Sequence, residues 1–359
     1  MKRYKLFNSL FILLFFNIPA VVILYKSTSI VIYIFIQMLG VMLIAGYQVP
    51  FKKKLIIRNN TSLIRGYFYT FWIIITIIVM IKVSSVGFPG QNYVGRTYET
   101  AFMSSYSILT KLYLFAPIIS AAIILLEGRV WLKVSVFILS MIMLFLPGVK
   151  GNVFLFLFIL VYFNLLETKK LMKTIILFSL LVTGATFLLF YVSHFVIRSS
   201  LDDTSLFDTA SVVAEKIWLY FQPNFRNLAL TIEKSEIFQF GAVFMYPVVE
   251  TVTLGAVRTT GEGQIWYFVD PNLKAGTFAR DFWQDWGIMA PFFTFFLGVL
   301  YSWLFSLVDG DSEINKLLLS ILSFPFAFVF FYNEFSRNQI IFGVILVILV
   351  VQNARRIRF

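Results

Sequence analysis

The chain has 359 residues, of which 59% are hydrophobic and only 13% charged. That is about half the charged share of soluble domains, so a soluble globular fold is excluded in favour of an integral membrane protein. The formal net charge of +12 would suit nucleic acid, but the basic residues sit in clusters between apolar runs, and nucleic acid is excluded as a partner. Cysteine is absent, which removes disulfides and thiolate metal sites.

A membrane-crossing helix needs about 20 mostly apolar residues. Such runs fall, in chain order, near 6–25, 28–49, 64–84, 105–126, 130–147, 151–166, 171–196, 287–308, 315–332 and 338–354. The first starts like a signal peptide, yet it is too long for a cleavable core and lacks a small-x-small site, so it reads as a retained helix. Lys2, Arg3 and Lys5 precede it. Lys52, Lys53, Lys54, Arg58 and Arg65 follow the second run, and Glu127, Arg129 and Lys133 flank the turn after the fourth. Lys169, Lys170 and Lys173 follow the sixth, and Arg355, Arg356 and Arg358 close the chain. Basic clusters on alternate connections place both termini in the cytoplasm. The expectation is an all-α, polytopic membrane protein, with 1–359 forming a single integral membrane domain of about ten spans.

Between the seventh and eighth runs lies a connection of unusual length, 197–286, expected on the periplasmic side. Connections of that size are functional or disordered, and its aromatic content argues for function. Within it, 208–236 carries a rough helical stripe (Val212, Val213, Ile217, Leu219, Tyr220) that Pro223 breaks before a second stretch resumes. The stripe suits an amphipathic helix lying on the membrane surface. The segment FQFGAVFMYPVVETVTLGAV, 238–257, is apolar enough to cross. Crossing would reverse every later connection, however, and Pro247 and Glu250 interrupt the run, so a re-entrant or interfacial segment is expected. The connection ends with GTFARDFWQDWGIMAP, 276–291, directly before the eighth run.

Arg198, Arg226, Arg258, Arg280 and Arg337 all fall on the expected outer side or its edge, where positive-inside bias disfavours them. Local pairing with Asp202, Asp203, Asp270 or Asp281 is the plain explanation. The functional one is a basic cavity, shared with Lys150 and Asn227, that grips a diphosphate, because a guanidinium offers a charged, planar fork of donors. Tyr220, Trp266, Tyr267 and Trp283 are either interfacial belt residues or flat platforms for sugar rings. His194 is the only histidine; with Asp281, Asp285 and Glu334 it makes up the candidate general bases, set against an ordinary packing role. No Cys/His cluster, HExxH or Walker loop occurs, so neither a metal nor another cofactor is expected.

The PGVKGN turn at 147–152, YFQPNFRN at 220–227 in a large outer connection, and the closing pattern of Gly276, Arg280, Asp281, Asp285 and Gly287 resemble the Wzy-type O-antigen polymerases. That resemblance implies an inner-membrane enzyme that polymerises undecaprenyl-diphosphate-linked oligosaccharide repeat units by glycosyl transfer on the periplasmic side. It implies partners in membrane lipid and a chain-length regulator protein, and no metal or nucleotide sugar. The nearest enzymatic alternative is an O-antigen ligase, which shares the donor. A lipid-linked oligosaccharide flippase or transporter is the non-enzymatic one, disfavoured because charges avoid the span centres.

Overall fold

Helix α1, Thr61–Val86, buries Ile64, Phe68, Trp72, Ile75, Val79 and Val83. Steps of three and four residues put these on one face. The opposite face exposes Ile73, Ile74, Ile77, Met80 and Ile81. A helix facing water would carry polar groups there, so this apolar face suits a lipid surrounding. The computed structural model that shows this describes residues 61–87, 112–147, 150–167, 226–234, 239–252, 278–308, 312–327 and 338–356, with Gly184 and Ser211 as single positions. The apolar runs expected at 6–25, 28–49 and, apart from Gly184, 171–196 lie outside the described residues.

Among the described residues every regular element is helical. A short 3-10 turn, Tyr113–Phe115, leads into α2, Ala116–Leu126. Then come α3, Val130–Phe145, α4, Lys150–Glu167, and α5, Ala242–Val252. Helix α6, Phe278–Trp286, passes through a 3-10 turn at Gly287–Met289 into α7, Ala290–Leu307. Helices α8, Glu313–Ala327, and α9, Asn338–Arg356, follow. Residues 226–234 are helical as well. Each expected apolar run within the described residues is therefore helical.

Among the described residues two segments, Ser62–Val86 and Arg280–Leu307, are long and apolar enough to cross a membrane. Only 17% and 39% of their most apolar stretches are buried, whereas the core helix of a soluble protein would be mostly enclosed. In α7 the buried face sets small or hydroxyl residues, Ala290, Thr294, Gly298, Ser302 and Ser306, among the larger Leu297, Tyr301 and Phe305. Its exposed face carries Phe292, Phe295, Phe296, Val299, Leu300 and Trp303. Small residues between helices and large apolar ones outside form the membrane pattern.

The described residues divide into two compact units. In one, α2 is the central helix and packs against α1, α3 and α4. Its residues from Ala116 to Ile123 are all buried, and Ala116, Ser120, Ala121 and Ala122 let neighbouring backbones approach closely. Gly343 of α9 lies against Ile118, where any β-carbon would collide with the isoleucine side chain. The Trp72 indole donates to Ser140 Oγ at 3.1 Å and the buried Tyr113 hydroxyl to the Leu144 carbonyl at 3.1 Å, tying α1 to α3 and the 3-10 turn to α3. The second unit holds the helical stretch 226–234 and α5 to α8, with α5 packed on α6, and α7 on both α6 and α8.

Candidate functional site

Helix α6 turns its polar side inward. Arg280 is 4% exposed, Asp281 9%, Gln284 2% and Asp285 0%, while Trp283 and Trp286 are half-buried. The structure therefore replaces the expected loop end with a helix whose charged face is enclosed. Asp281 in the first turn suits the partial positive charge of the helix N-terminus. Arg280 donates from Nε (3.2 Å) and Nη2 (3.0 Å) to one oxygen, Oδ1, of Asp281. Asp281 is thus a partner of Arg280, and the pair is buried; Asp202, Asp203 and Asp270 lie outside the described residues.

Asp285 has a different task. Its Oδ1 accepts the Val243 amide at 2.9 Å and its Oδ2 the Phe244 amide at 2.8 Å. These amides belong to the first turn of α5, where backbone donors have no partner within their own helix. Asp285 thus caps α5 from another helix, and its charge complements the α5 dipole. The backbone reinforces the clasp: the Gln239 amide donates to the Gln284 carbonyl (3.1 Å) and the Phe240 amide to the Asp285 carbonyl (2.9 Å). Phe244 meets Phe282 edge-on with ring centroids 5.2 Å apart.

The chain reaches this position through a tight turn in which Phe240 has φ 48° and Gly241 φ 90°. Glycine is required at 241 on two grounds. The backbone is left-handed there, and a β-carbon would lie 3.1 Å from Trp286 Cζ2. Trp286 also stacks on Phe293 of α7 at 3.6 Å between centroids, so α5, α6 and the start of α7 form one braced corner. Described α5 has 11 residues, about 16 Å at 1.5 Å per residue and half the bilayer core. Residues 253–257, the end of the segment expected to be re-entrant or interfacial, lie outside the described residues.

Of the other sequence candidates, Arg226 is exposed and Asn227 buried at the start of the helical stretch 226–234. Asn227 gives its carbonyl to Thr231 Oγ1 at 2.7 Å. Lys150 opens α4. His194, Arg198, Tyr220, Arg258, Trp266, Tyr267, Glu334 and Arg337 lie outside the described residues. Gln239, Phe240, Gly241 and the α5 amides are additions from the structure. The Phe-Gly turn ahead of an apolar run was their only visible signal.

In the other unit, Glu127 is 5% exposed and collects four donors. They are Arg65 Nη1 (3.3 Å), the Tyr69 hydroxyl (3.0 Å) and the amides of Gly128 (2.9 Å) and Arg129 (3.1 Å). Burial pushes the Glu127 carboxyl up, but these hydrogen bonds and the Arg65 charge outweigh it and hold the pKa below the usual glutamate value. This cluster joins α1 to the turn between α2 and α3.

Chemically, the α5–α6 corner holds an enclosed guanidinium–carboxylate pair, Arg280–Asp281, beside a second buried carboxylate, Asp285, that is engaged by backbone amides. Among the described residues no group of three or more His, Cys, Asp or Glu side chains is placed to hold a metal ion. Compared with family models, curated proteins and solved structures, the chain has no match.

Proposed function

We propose that this protein polymerises undecaprenyl-diphosphate-linked oligosaccharide repeat units, acting as a membrane glycosyltransferase of the Wzy type in the bacterial inner membrane with its site on the periplasmic face. The observation that carries the reading is the enclosed charged face of α6, Arg280–Asp281–Asp285, at the head of a membrane-length apolar helix. Ionisable groups at that depth cost free energy and mark functional sites by default. The resemblance of the 276–287 pattern to that family supplies the reaction.

In that reaction an acceptor hydroxyl oxygen forms a bond to the anomeric carbon of the donor glycan. The bond from that carbon to the diphosphate oxygen breaks, and undecaprenyl diphosphate departs with the electron pair. Arg280 neutralises the charge that develops on the leaving oxygen. Asp281 orients Arg280 and is occupied in doing so, and Asp285 is engaged through both oxygens by α5. The proton of the acceptor hydroxyl therefore goes to His194 or Glu334 in this scheme.

A deletion strain's lipopolysaccharide ladder tests the proposal. Single repeats on the lipid A core mean that polymerisation is lost, as expected. Core with no repeats means that a ligase is lost, and accumulation of lipid-linked repeats on the cytoplasmic face means that a flippase is lost.

A further inference from the structure

The turn ahead of α5 presents an odd combination. Phe240 adopts the left-handed backbone that suits glycine, and 78% of its surface is exposed. Neither the backbone nor burial within the chain rewards a phenylalanine there. Just past Trp286 in the chain, Ile288 is 82% exposed and Met289 54%. Phe240 meets Trp286 edge-on at 6.2 Å, and one turn further Phe292 is 53% exposed. No charged residue occurs from Gln239 to Val249 or from Trp286 to Val308.

This strip runs without interruption into the exposed apolar face of α7. The 18 residues of α7 span about 27 Å and the three residues of the preceding 3-10 turn about 6 Å, together about 33 Å against a hydrocarbon core of about 30 Å. Ile288 and Met289 thus fall at the edge of the hydrocarbon, and Phe240, packed on Trp286, falls at the level of the headgroups. We propose that Phe240, Ile288 and Met289 form a wedge inserted into the bilayer interface, and that the lipid boundary covering α7 also covers this corner. The wedge holds the α5–α6 clasp at a set depth. The strained turn is then explained, because it aims Phe240 along the lipid-facing side of α7 instead of into the protein.

The chain has no cysteine, so single labels report cleanly. Phe240→Cys and Ile288→Cys, each labelled with an environment-sensitive fluorophore and reconstituted into phosphatidylcholine–phosphatidylglycerol vesicles, are compared with Glu233→Cys at an exposed helical position. The expected result is blue-shifted emission at 240 and 288. Quenching there should be stronger from nitroxides near the lipid headgroup than from nitroxides at the acyl-chain end, and weaker from aqueous iodide than at 233. Iodide quenching equal to that at 233 would mean that the turn faces water and would overturn the wedge. Blue-shifted emission that no nitroxide lipid quenches would mean that protein, from a second copy or elsewhere in the chain, is the cover, and would overturn it equally. Two labels on different elements guard against a turn disturbed by substitution at 240. No glycan enters the measurement, so its outcome is separate from that of the polymerase proposal.

Discussion

Arg280 and Glu127 are both charged and both buried, yet they call for different experiments. Under the proposed mechanism Arg280→Ala abolishes chain extension, because a charge-assisted contact made in the transition state is worth roughly 10²–10³ in rate. Arg280→Lys rescues poorly, since an ammonium keeps the charge and loses the fork. The pair with Asp281 is enclosed, so Arg280→Ala also strands a carboxylate, at a cost of about 3–5 kcal/mol. Pairing Arg280→Met with Asp281→Leu removes both charges and should restore protein level without restoring polymer. Normal ladders from that double variant would remove Arg280 from the site. Glu127 bears on stability instead. Its folded pKa is lowered, so the stability it contributes is full above the unfolded glutamate pKa and is lost as pH falls through the lower folded value. Glu127→Gln should lower the unfolding temperature at neutral pH by the equivalent of about 1–3 kcal/mol. The deficit should shrink below the unfolded glutamate pKa, as read by thermal melts across pH.

Helices α5 and α6 depend on one another in a way that neither shows alone. α5 opens with apolar residues that offer no side-chain cap, and its first turn is satisfied from outside by Asp285. Asp285→Ala should raise amide exchange across 242–252 with a local loss of about 0.5–2 kcal/mol, whereas Asp285→Asn, which keeps one acceptor, should lose less. Equal protection in the wild type and Asp285→Ala would show that the cap is dispensable. The helices α1, α3, α4 and α7 were legible in the sequence because apolar residues dominate whole runs. The enclosed face of α6 was not, because ARDFWQDW reads equally as a soluble loop end and as an inward-facing helix. Only the packing partner distinguishes these.

At the scale of the whole molecule, two membrane-length helices among the described residues and their apolar outer faces support membrane association, and the orientation is an expectation from charge. Both termini and the Lys54 and Lys170 connections are expected in the cytoplasm and the 197–286 connection in the periplasm. Reporter fusions after Lys54 and Lys170 should read cytoplasmic, and one at Asp270 periplasmic. A cytoplasmic signal at Asp270 would put the Arg280 face on the wrong side for periplasmic glycan transfer.

Composition by itself set the expectation of a membrane protein, and apolar run length placed the described membrane-length helices, because transfer of side chains from water to hydrocarbon depends on residue type more than on neighbours. The alternating basic clusters carry the expected orientation in the same local way. Tertiary structure decided what each charge does. Arg280 and Asp281 pair inside the protein, Asp285 caps a helix 42 residues away in the chain, and Glu127 gathers Arg65 and Tyr69 from α1. Each role depends on which donors a fold brings within about 3 Å of a carboxylate. A linear sequence contains the donors but not their distances.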